Sequence, residues 1–445
     1  MRKRRRRRKH KNNSILISIV ILIFAVSASV SFYYFNDKYQ LFTFTSLTAD
    51  KSNSTNTSKD NEIVDETDTD THTKDKIKSE ERRKTLLEQA ELLKRGYFID
   101  EAIDLLKSES TLINEDVTRT ISEYEDYKIN FVKYEGEIEH IFFHSLIVYP
   151  ELAFDNIGHY AQGYNMWFTT VDEFKNMLPL LKENNYVLMS IQDIYTRNSN
   201  GQMIKNDIYL PPGKKPLIIS QDDVNYYDYM KPDGFASKLV IDKNGEISTE
   251  VKSPDGEVLI TRDGDIVPIL DDYIKENPEF SYKGAKGILA VTGYEGVLGH
   301  RLEDDESKAK AKEVSNILKN NGWLIASHSY THNDKGYFKE SIYSKLEYDF
   351  NAWKTRIEPI VGQTNIFISP FGVTLEDEFF DLVTNYGFDI YCNVTRNSYS
   401  YFKNNVVIMP RFNLDGFTFT KDKDNINNRF FDVDKVIDTS RPPLL

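Results

Sequence analysis

The sequence predicts an α/β fold, a distorted (β/α) barrel, and two observations carry that prediction. Short apolar runs, such as 217–219 and 323–326, are typical of buried strands in a parallel sheet, and helical segments follow such runs at 308–320 and 346–358. Polar clusters stand directly after the two apolar runs. In a barrel of this kind the residues just past the strands form the catalytic face.

The two polar clusters supply the parts of a metal site. The segment Ser220-Gln221-Asp222-Asp223 brings two carboxylates, and the segment His328-Ser329-Tyr330-Thr331-His332 brings two imidazoles. Asp223, His328 and His332 could supply three ligands of a divalent ion, with water as the fourth. Asp222 would then remain free to take a proton from that water. Taken singly, each cluster has a simpler explanation, a solvated turn in one case and a chance histidine pair in the other.

The clusters resemble motifs of the polysaccharide deacetylase family, also called the NodB-homology or carbohydrate esterase 4 family. The T-F-D-D-G motif of that family is matched by S-Q-D-D-V at 220–224, and its H-S/T-x-x-H motif is kept whole at 328–332. Its P-Y/F-G motif is matched by Pro370-Phe371-Gly372. Further similarity lies in Phe143-His144-Ser145 and in residues 168–194 and 409–416. The resemblance as an ordered set covers residues 136–445.

This resemblance implies a NodB-type barrel that removes N-acetyl groups from a cell-wall or surface polysaccharide of N-acetylhexosamine. Asp222 would be the catalytic base, and Asp223 with the two motif histidines would hold a divalent metal, expected to be Zn²⁺. Pro370, Phe371, Gly372 and Tyr330 would contact the sugar. A place in the core fits Tyr330 equally well.

The sequence also departs from the family pattern. Val224 stands at the glycine of the first motif, and the last histidine of the chain is His332. The late histidine that many family members use to protonate the leaving amine is therefore absent. His144 follows a predicted strand and is expected to donate that proton or to orient the water that does, with a structural histidine as the alternative. Arg411 is expected to pair with a carboxylate near the site, with a surface position as the alternative.

The missing acid keeps two other functions open. A non-catalytic relative could bind glycan or organise wall enzymes at the cell surface. An O-acetyl esterase would need the acid less, because an ester has a better leaving group than an amide. Nucleic acid is disfavoured as a partner, since removing the nine basic residues of the first eleven from the net charge of −13 leaves about −22.

The N-terminus predicts a membrane anchor. Residues 1–13 are a basic, cytoplasmic segment, and residues 14–36 contain an uncharged apolar run long enough for a transmembrane helix. The basic flank predicts a single-pass protein of the cell membrane with an extracellular catalytic domain. A cleaved signal peptide is the alternative. Residues 37–80 are polar and are predicted to be a disordered linker.

Two additions to the barrel are predicted. Residues 81–130 have the periodicity of a tetratricopeptide-like helical hairpin, expected to pack on the catalytic domain, with peptide binding as the less favoured alternative. Residues 235–282 alternate and turn, with Asn244-Gly245 and Asp263-Gly264 as hairpin signals, and predict an inserted β-hairpin region. The single cysteine, Cys392, excludes an intrachain disulfide and is predicted to be a buried thiol.

Overall fold

Seven parallel strands close into a barrel, as a computed structural model describes for residues 67–155, 160–333, 337–395 and 399–444. The barrel strands follow one another in the order β11 (Ile288–Val291), β12 (Leu324–Ser327), β13 (Ile366–Ile368), β14 (Ile390–Val394), β16 (Val406–Asn413), β2 (Glu139–Phe143) and β7 (Lys215–Gln221). Pairing of β7 with β11 closes the ring. This confirms the predicted (β/α) barrel. The strands are β1 (Val132–Lys133), β2 (Glu139–Phe143), β3 (Tyr186–Leu188), β4 (Tyr195–Arg197), β5 (Met203–Lys205), β6 (Tyr209–Leu210), β7 (Lys215–Gln221), β8 (Ala236–Ile241), β9 (Ile247–Lys252), β10 (Val258–Thr261), β11 (Ile288–Val291), β12 (Leu324–Ser327), β13 (Ile366–Ile368), β14 (Ile390–Val394), β15 (Tyr401–Lys403) and β16 (Val406–Asn413).

Helices follow most of the barrel strands and cover their outer faces. One example is the helix at Val171–Glu183, which begins with a capping box in which Thr170 and Glu173 satisfy each other's backbone N–H groups. The helices are α1 (Thr67–Arg95), α2 (Ile99–Ser108), α3 (Glu115–Ile129), α4 (Pro150–Ala153), α5 (Ala161–Trp167), α6 (Val171–Glu183), α7 (Ile191–Ile194), α8 (Ile266–Glu276), α9 (Asp305–Asn320), α10 (Tyr343–Arg356), α11 (Glu358–Val361), α12 (Phe380–Asn385), α13 (Gly416–Lys421) and α14 (Lys423–Arg429).

The alternation of side chains along each strand separates two apolar layers. One set, with Ile218, Ala326, Ile368 and Cys392, fills the barrel interior. The alternate set packs with the helices in the larger core: Ile141, Phe143, Leu217, Ile219, Leu289, Val291, Ile325, Phe367, Tyr391 and Ile408. The thiol of Cys392 is buried, as predicted. Strands buried on both faces explain why the sequence shows continuous apolar runs.

The inserted region is larger than a hairpin. Strands β8, β9 and β10 form an antiparallel sheet, and the helix α8 follows it. Asn244-Gly245 makes the first turn, with Gly245 at φ 81°, as predicted. The second turn lies at Asp255-Gly256, with Gly256 at φ 91°, so the hairpin prediction at Asp263-Gly264 is wrong. That pair instead leads into α8, because the carboxylate of Asp265 caps the helix at the N–H of Ile266.

The N-terminal unit has three helices, α1, α2 and α3, rather than the two of the predicted hairpin. Helix α1 covers Thr67–Arg95, so the last residues of the predicted linker are helical. The unit packs on the segment before β11. Arg95 pairs with Glu279 at 2.7 Å, and the hydroxyl of Tyr97 donates to the carbonyl of Glu279.

Among the described residues, none of the helices combines the length and apolarity needed to cross a membrane. The predicted span at 14–36 lies outside the described residues, as does the linker from 37 to 66.

Candidate metal centre and active site

The predicted site residues meet at the carboxyl ends of the barrel strands. On β7, the side chains of Ile218 and Ser220 face the interior, and continuing this alternation places Asp222 at the mouth. The N–H of Asp222 donates to the carbonyl of Phe143, at the end of β2. His328 directly follows β12, and its N–H donates to the carbonyl of Val291 at the end of β11. The strand ends thus bring carboxylates and imidazoles from distant parts of the sequence together.

Asp223, His328 and His332 form a group whose ligand atoms all lie within 4.8 Å of one another. The Oδ1 atom of Asp223 is 3.9 Å from Nε2 of His328 and 3.5 Å from Nε2 of His332. Two imidazole nitrogens and one carboxylate oxygen are the donors of an open catalytic zinc site, which leaves its fourth position to water or substrate. The residues present therefore fit a divalent metal.

Hydrogen bonds set the orientation of the imidazoles. Nδ1 of His328 lies 2.8 Å from the carbonyl oxygen of Ile368. A carbonyl can only accept, so Nδ1 carries the proton and Nε2 keeps a free lone pair toward Asp223. Nδ1 of His144 likewise donates to the carbonyl of Trp167, at 3.2 Å, and its Nε2 lies 4.0 Å from Oδ2 of Asp223. The structure therefore brings His144 to the metal group.

Asp222 is held by Arg411. The two guanidinium nitrogens Nη1 and Nη2 donate to Oδ1 and Oδ2 of Asp222 at 2.6 and 2.8 Å, and both side chains are buried. Burial raises the pKa of Asp222, but Arg411 and then His328 outweigh it, so the pKa lies below its ordinary value. Asp222 is consequently ionised at neutral pH. The guanidinium also lies 4.1 Å from the centre of the Phe142 ring, which limits its movement.

Tyr227 holds the other aspartate. Its hydroxyl donates to Oδ1 of Asp223 at 2.6 Å. A carboxylate oxygen has two lone pairs, so Oδ1 can accept this bond and still face the imidazoles. Burial raises the pKa of Asp223. This effect is outweighed by the nearby imidazoles of His332, His328 and His144 and by the hydrogen bond from Tyr227, so the pKa falls to about 2. Asp223 is therefore ionised at neutral pH, as a metal ligand has to be.

The second motif is not helical, and Asp349 holds its shape. Ser329 has φ 70° and His332 has φ 44°, left-handed conformations that seldom occur outside glycine. The carboxylate of Asp349 is buried on α10 and accepts four hydrogen bonds of 2.9 Å or less. The donors are the hydroxyl of Ser329, the N–H of Tyr330, and both the N–H and the hydroxyl of Thr331. The hydroxyl of Ser329 then accepts from the N–H of His332. This network offsets the backbone strain and aims both histidines.

The third motif stands beside His332. Pro370 is buried, and Phe371 is 46% exposed with its ring 4.7 Å from the His332 ring. Phe371 has φ 58°, and Gly372 at φ 67° lies against Val394. Phe371 therefore offers an exposed aromatic face at the mouth.

Tyr330 takes a different position from the other predicted substrate residues. Its ring covers Gly293, where an added Cβ would come within 2.1 Å of the ring, and its hydroxyl accepts from Arg356 at 2.9 Å. These contacts place Tyr330 on the side of the mouth formed by α10.

No protein-family model and no curated protein matches the chain. Similar solved structures include the deacetylase PplD of Streptococcus pyogenes in complex with acetate, at 14% identity and a TM-score of 0.39, over 63% of this chain and 93% of that one. A polysaccharide deacetylase from Bacillus cereus is 15% identical with a TM-score of 0.38, over 65% and 69% of the two chains. A de-N-acetylase from Aggregatibacter actinomycetemcomitans is 16% identical with a TM-score of 0.39, over 63% and 96%. At these identities and scores, function has to be argued from the residues of this chain.

Sequence reasoning missed Asp349 and Tyr227. A signal for Asp349 is present in the sequence. It stands between Leu346 and Trp353 on the buried face of α10, where a charged residue needs hydrogen-bond partners. Tyr227 left none, since its contact with Asp223 depends on a loop turned by positive φ angles at Asp223 and Tyr226.

Proposed function

We propose that this protein is a metal-dependent hydrolase that removes N-acetyl groups from a cell-wall or surface polysaccharide of N-acetylhexosamine. One observation carries the proposal. The triad Asp223, His328 and His332 shares the barrel mouth with an ionised Asp222 that makes no hydrogen bond to the triad itself but is fixed by Arg411. A metal group beside a separate base is the arrangement needed to activate water against an amide carbonyl.

A bound divalent ion, expected to be Zn²⁺, supplies Lewis-acid chemistry at the acetyl carbonyl and at the attacking water. Asp222 takes a proton from that water as its oxygen bonds to the acetyl carbon. Each oxygen of Asp222 accepts one bond from Arg411 and keeps a lone pair for the proton. The cost of this arrangement is a weaker base, because the guanidinium stabilises the carboxylate form.

His144 is the proton donor in the proposal. As the bond between carbon and nitrogen breaks, Nε2 of a protonated His144 gives its proton to the leaving amine, and acetate and a free hexosamine are released. Support comes from the position of Nε2, 4.0 Å from Asp223, and from the Nδ1 bond to Trp167, which keeps Nε2 directed at the site. Among the described histidines outside the triad, His140 lies deeper in the barrel on Ser220, and His300 bonds to Leu239.

Acetate release from N-acetylglucosamine oligomers tests the activity, and metal analysis tests the site. Purified full-length protein should hold about one divalent ion per chain. Replacing His328 and His332 together by Ala should remove both ion and activity, whereas His300→Ala should keep both. Unchanged metal content in the double variant would refute the ligand assignment. Acetate from O-acetylated but not N-acetylated sugars would establish the esterase instead, and glycan binding without acetate would establish the non-catalytic alternative.

The proposed location is the outer face of the cell membrane, with a single N-terminal span at 14–36. Support comes from the basic flank and the apolar run of the sequence. Protease added to intact cells should digest the barrel domain. A domain protected until the cells are lysed would contradict this location.

A further inference from the structure

Exposed tyrosines form a continuous path that leads away from the metal group. Tyr160, Tyr229 and Tyr294 are 51, 43 and 53% exposed, and we call these three side chains the tyrosine ridge. They converge on the buried Tyr227, whose hydroxyl reaches Asp223. The ring of Tyr229 is stacked 5.9 Å from Tyr227, Tyr160 lies 5.1 Å beyond Tyr229, and Tyr294 lies 5.8 Å from Tyr227 on another side. Large aromatic side chains that share an exposed patch mark a binding surface.

Hydrogen bonds fix the loops that lead to Tyr229 and carry Tyr294. The side chain of Asn225 donates to the carbonyls of Thr292 and Tyr294, which ties the loop after β7 to the loop after β11. Arg301 donates to the carbonyls of Asn225 and Tyr226 at 3.0 and 2.6 Å. A surface that is already ordered loses little conformational entropy when a ligand binds.

We infer that the tyrosine ridge binds the sugar units that neighbour the one being deacetylated. This inference rests on the proposed function. A pyranose whose substituents are all equatorial presents axial C–H groups on its faces, which pack on aromatic rings, while its hydroxyls meet the tyrosine hydroxyls at the ring edges. Within the ridge, the rings of Tyr160 and Tyr229 lie 5.1 Å apart, so the two side chains form one surface.

Other features fit this occupant better than an anionic lipid surface. The chain carries a net charge of −13, which disfavours an anionic membrane. The ridge also continues into the candidate active site through Tyr227, as a substrate path must. Next to His332, Phe371 adds a further exposed ring. The ridge therefore extends the site on the Asp223 side.

Binding of N-acetylglucosamine oligomers to full-length Asp222→Asn protein, loaded with metal, tests the inference without turnover. Pentamers with β-1,4 or β-1,6 linkage should bind more tightly than the matching dimer. Adding Tyr229→Ala or Tyr160→Ala should each weaken pentamer binding by roughly 2- to 10-fold and leave the dimer unchanged. The matched control is Tyr209→Ala, which removes a tyrosine that is also 51% exposed but stands on β6, before the start of β7.

Equal affinity for dimer and pentamer, no binding of either pentamer, or an equal loss with Tyr209→Ala would overturn the inference. Hydrolysis by the wild-type protein separates it from the proposed function. Acetate release at a rate independent of chain length would refute the role of the ridge but support the proposed function. Absence of acetate release, together with pentamer binding that still depends on Tyr229 and Tyr160, would refute the hydrolase function but support sugar binding by the ridge.

Discussion

Two adjacent tyrosines allow a sharp test of how the metal group is positioned. The hydroxyl of Tyr227 donates to Asp223 at 2.6 Å, and that of Tyr226 donates to the buried Asp265, also at 2.6 Å. Replacing either by Phe removes one hydrogen bond to a carboxylate, a loss of about 1.5–3 kcal/mol in the free energy of unfolding. Only Tyr227→Phe should weaken metal binding, since only Tyr227 orients a ligand. Loss of such a supporting bond typically costs about 10–100-fold in metal affinity, or about 1.4–2.8 kcal/mol.

Competition with a chromophoric chelator measures the Zn²⁺ dissociation constant of each variant, and chemical denaturation measures its stability. The reasoning predicts similar stability losses for the two variants and a higher dissociation constant for Tyr227→Phe alone. Tyr226→Phe is the matched control, because it loses the same group from the neighbouring position. Equal metal affinity in both variants, or a weaker affinity with Tyr226→Phe, would refute the assignment of Oδ1 of Asp223 as a ligand oriented by Tyr227.

Three other variants and one modification test the remaining parts of the site and barrel. Asp222→Asn should keep its metal and lose about 10²–10⁴-fold in acetate release; joint loss of metal and activity would reverse the roles of the two aspartates. His144→Ala should slow acetamide hydrolysis by about 10²-fold or more but spare activated acetate esters, whose leaving group needs no proton, and a parallel decline would make His144 structural. Asp349→Ala should lower the free energy of unfolding by more than about 3 kcal/mol, because the donors around Ser329, Tyr330 and Thr331 lose their acceptor, and a loss under about 1 kcal/mol would contradict this. Burial raises the pKa of Cys392 to about 12, so the thiol stays protonated as the pH rises and should resist a thiol reagent at about pH 8 until the protein unfolds; rapid labelling of native protein would argue against a closed barrel.

The barrel and the meeting of its site residues were predictable because both follow from chain order. Runs such as 217–219 are apolar throughout, as expected of a strand that is buried on both faces. The carboxyl ends of parallel strands meet at one end of a barrel, so Asp223 and His328 had to approach each other once their strands were recognised. The same rule placed His144 near them. The catalytic and ligand roles assigned to these residues remain predictions.

The rest depended on contacts that no local pattern encodes. Asp265 accepts from Gln221 and Tyr226 across the end of β7, and this fixes where the inserted sheet meets the barrel. The turn at Asp255-Gly256 and the pair at Asp263-Gly264 have the same composition. Only the first is a hairpin. At Gly264 a Cβ would lie 2.2 Å from the Thr249 hydroxyl, so that glycine serves close packing on β9.

The central claim is that the triad holds a metal needed for amide hydrolysis, with Asp222 as the base. Acetate release from an N-acetylglucosamine pentamer by metal-stripped and Zn²⁺-reloaded protein tests it most directly. The account predicts acetate together with an equal amount of free amine, loss of both on stripping, and recovery on reloading for the wild type but not for Asp222→Asn. Acetate release that survives complete stripping, or equal recovery in Asp222→Asn, would contradict it.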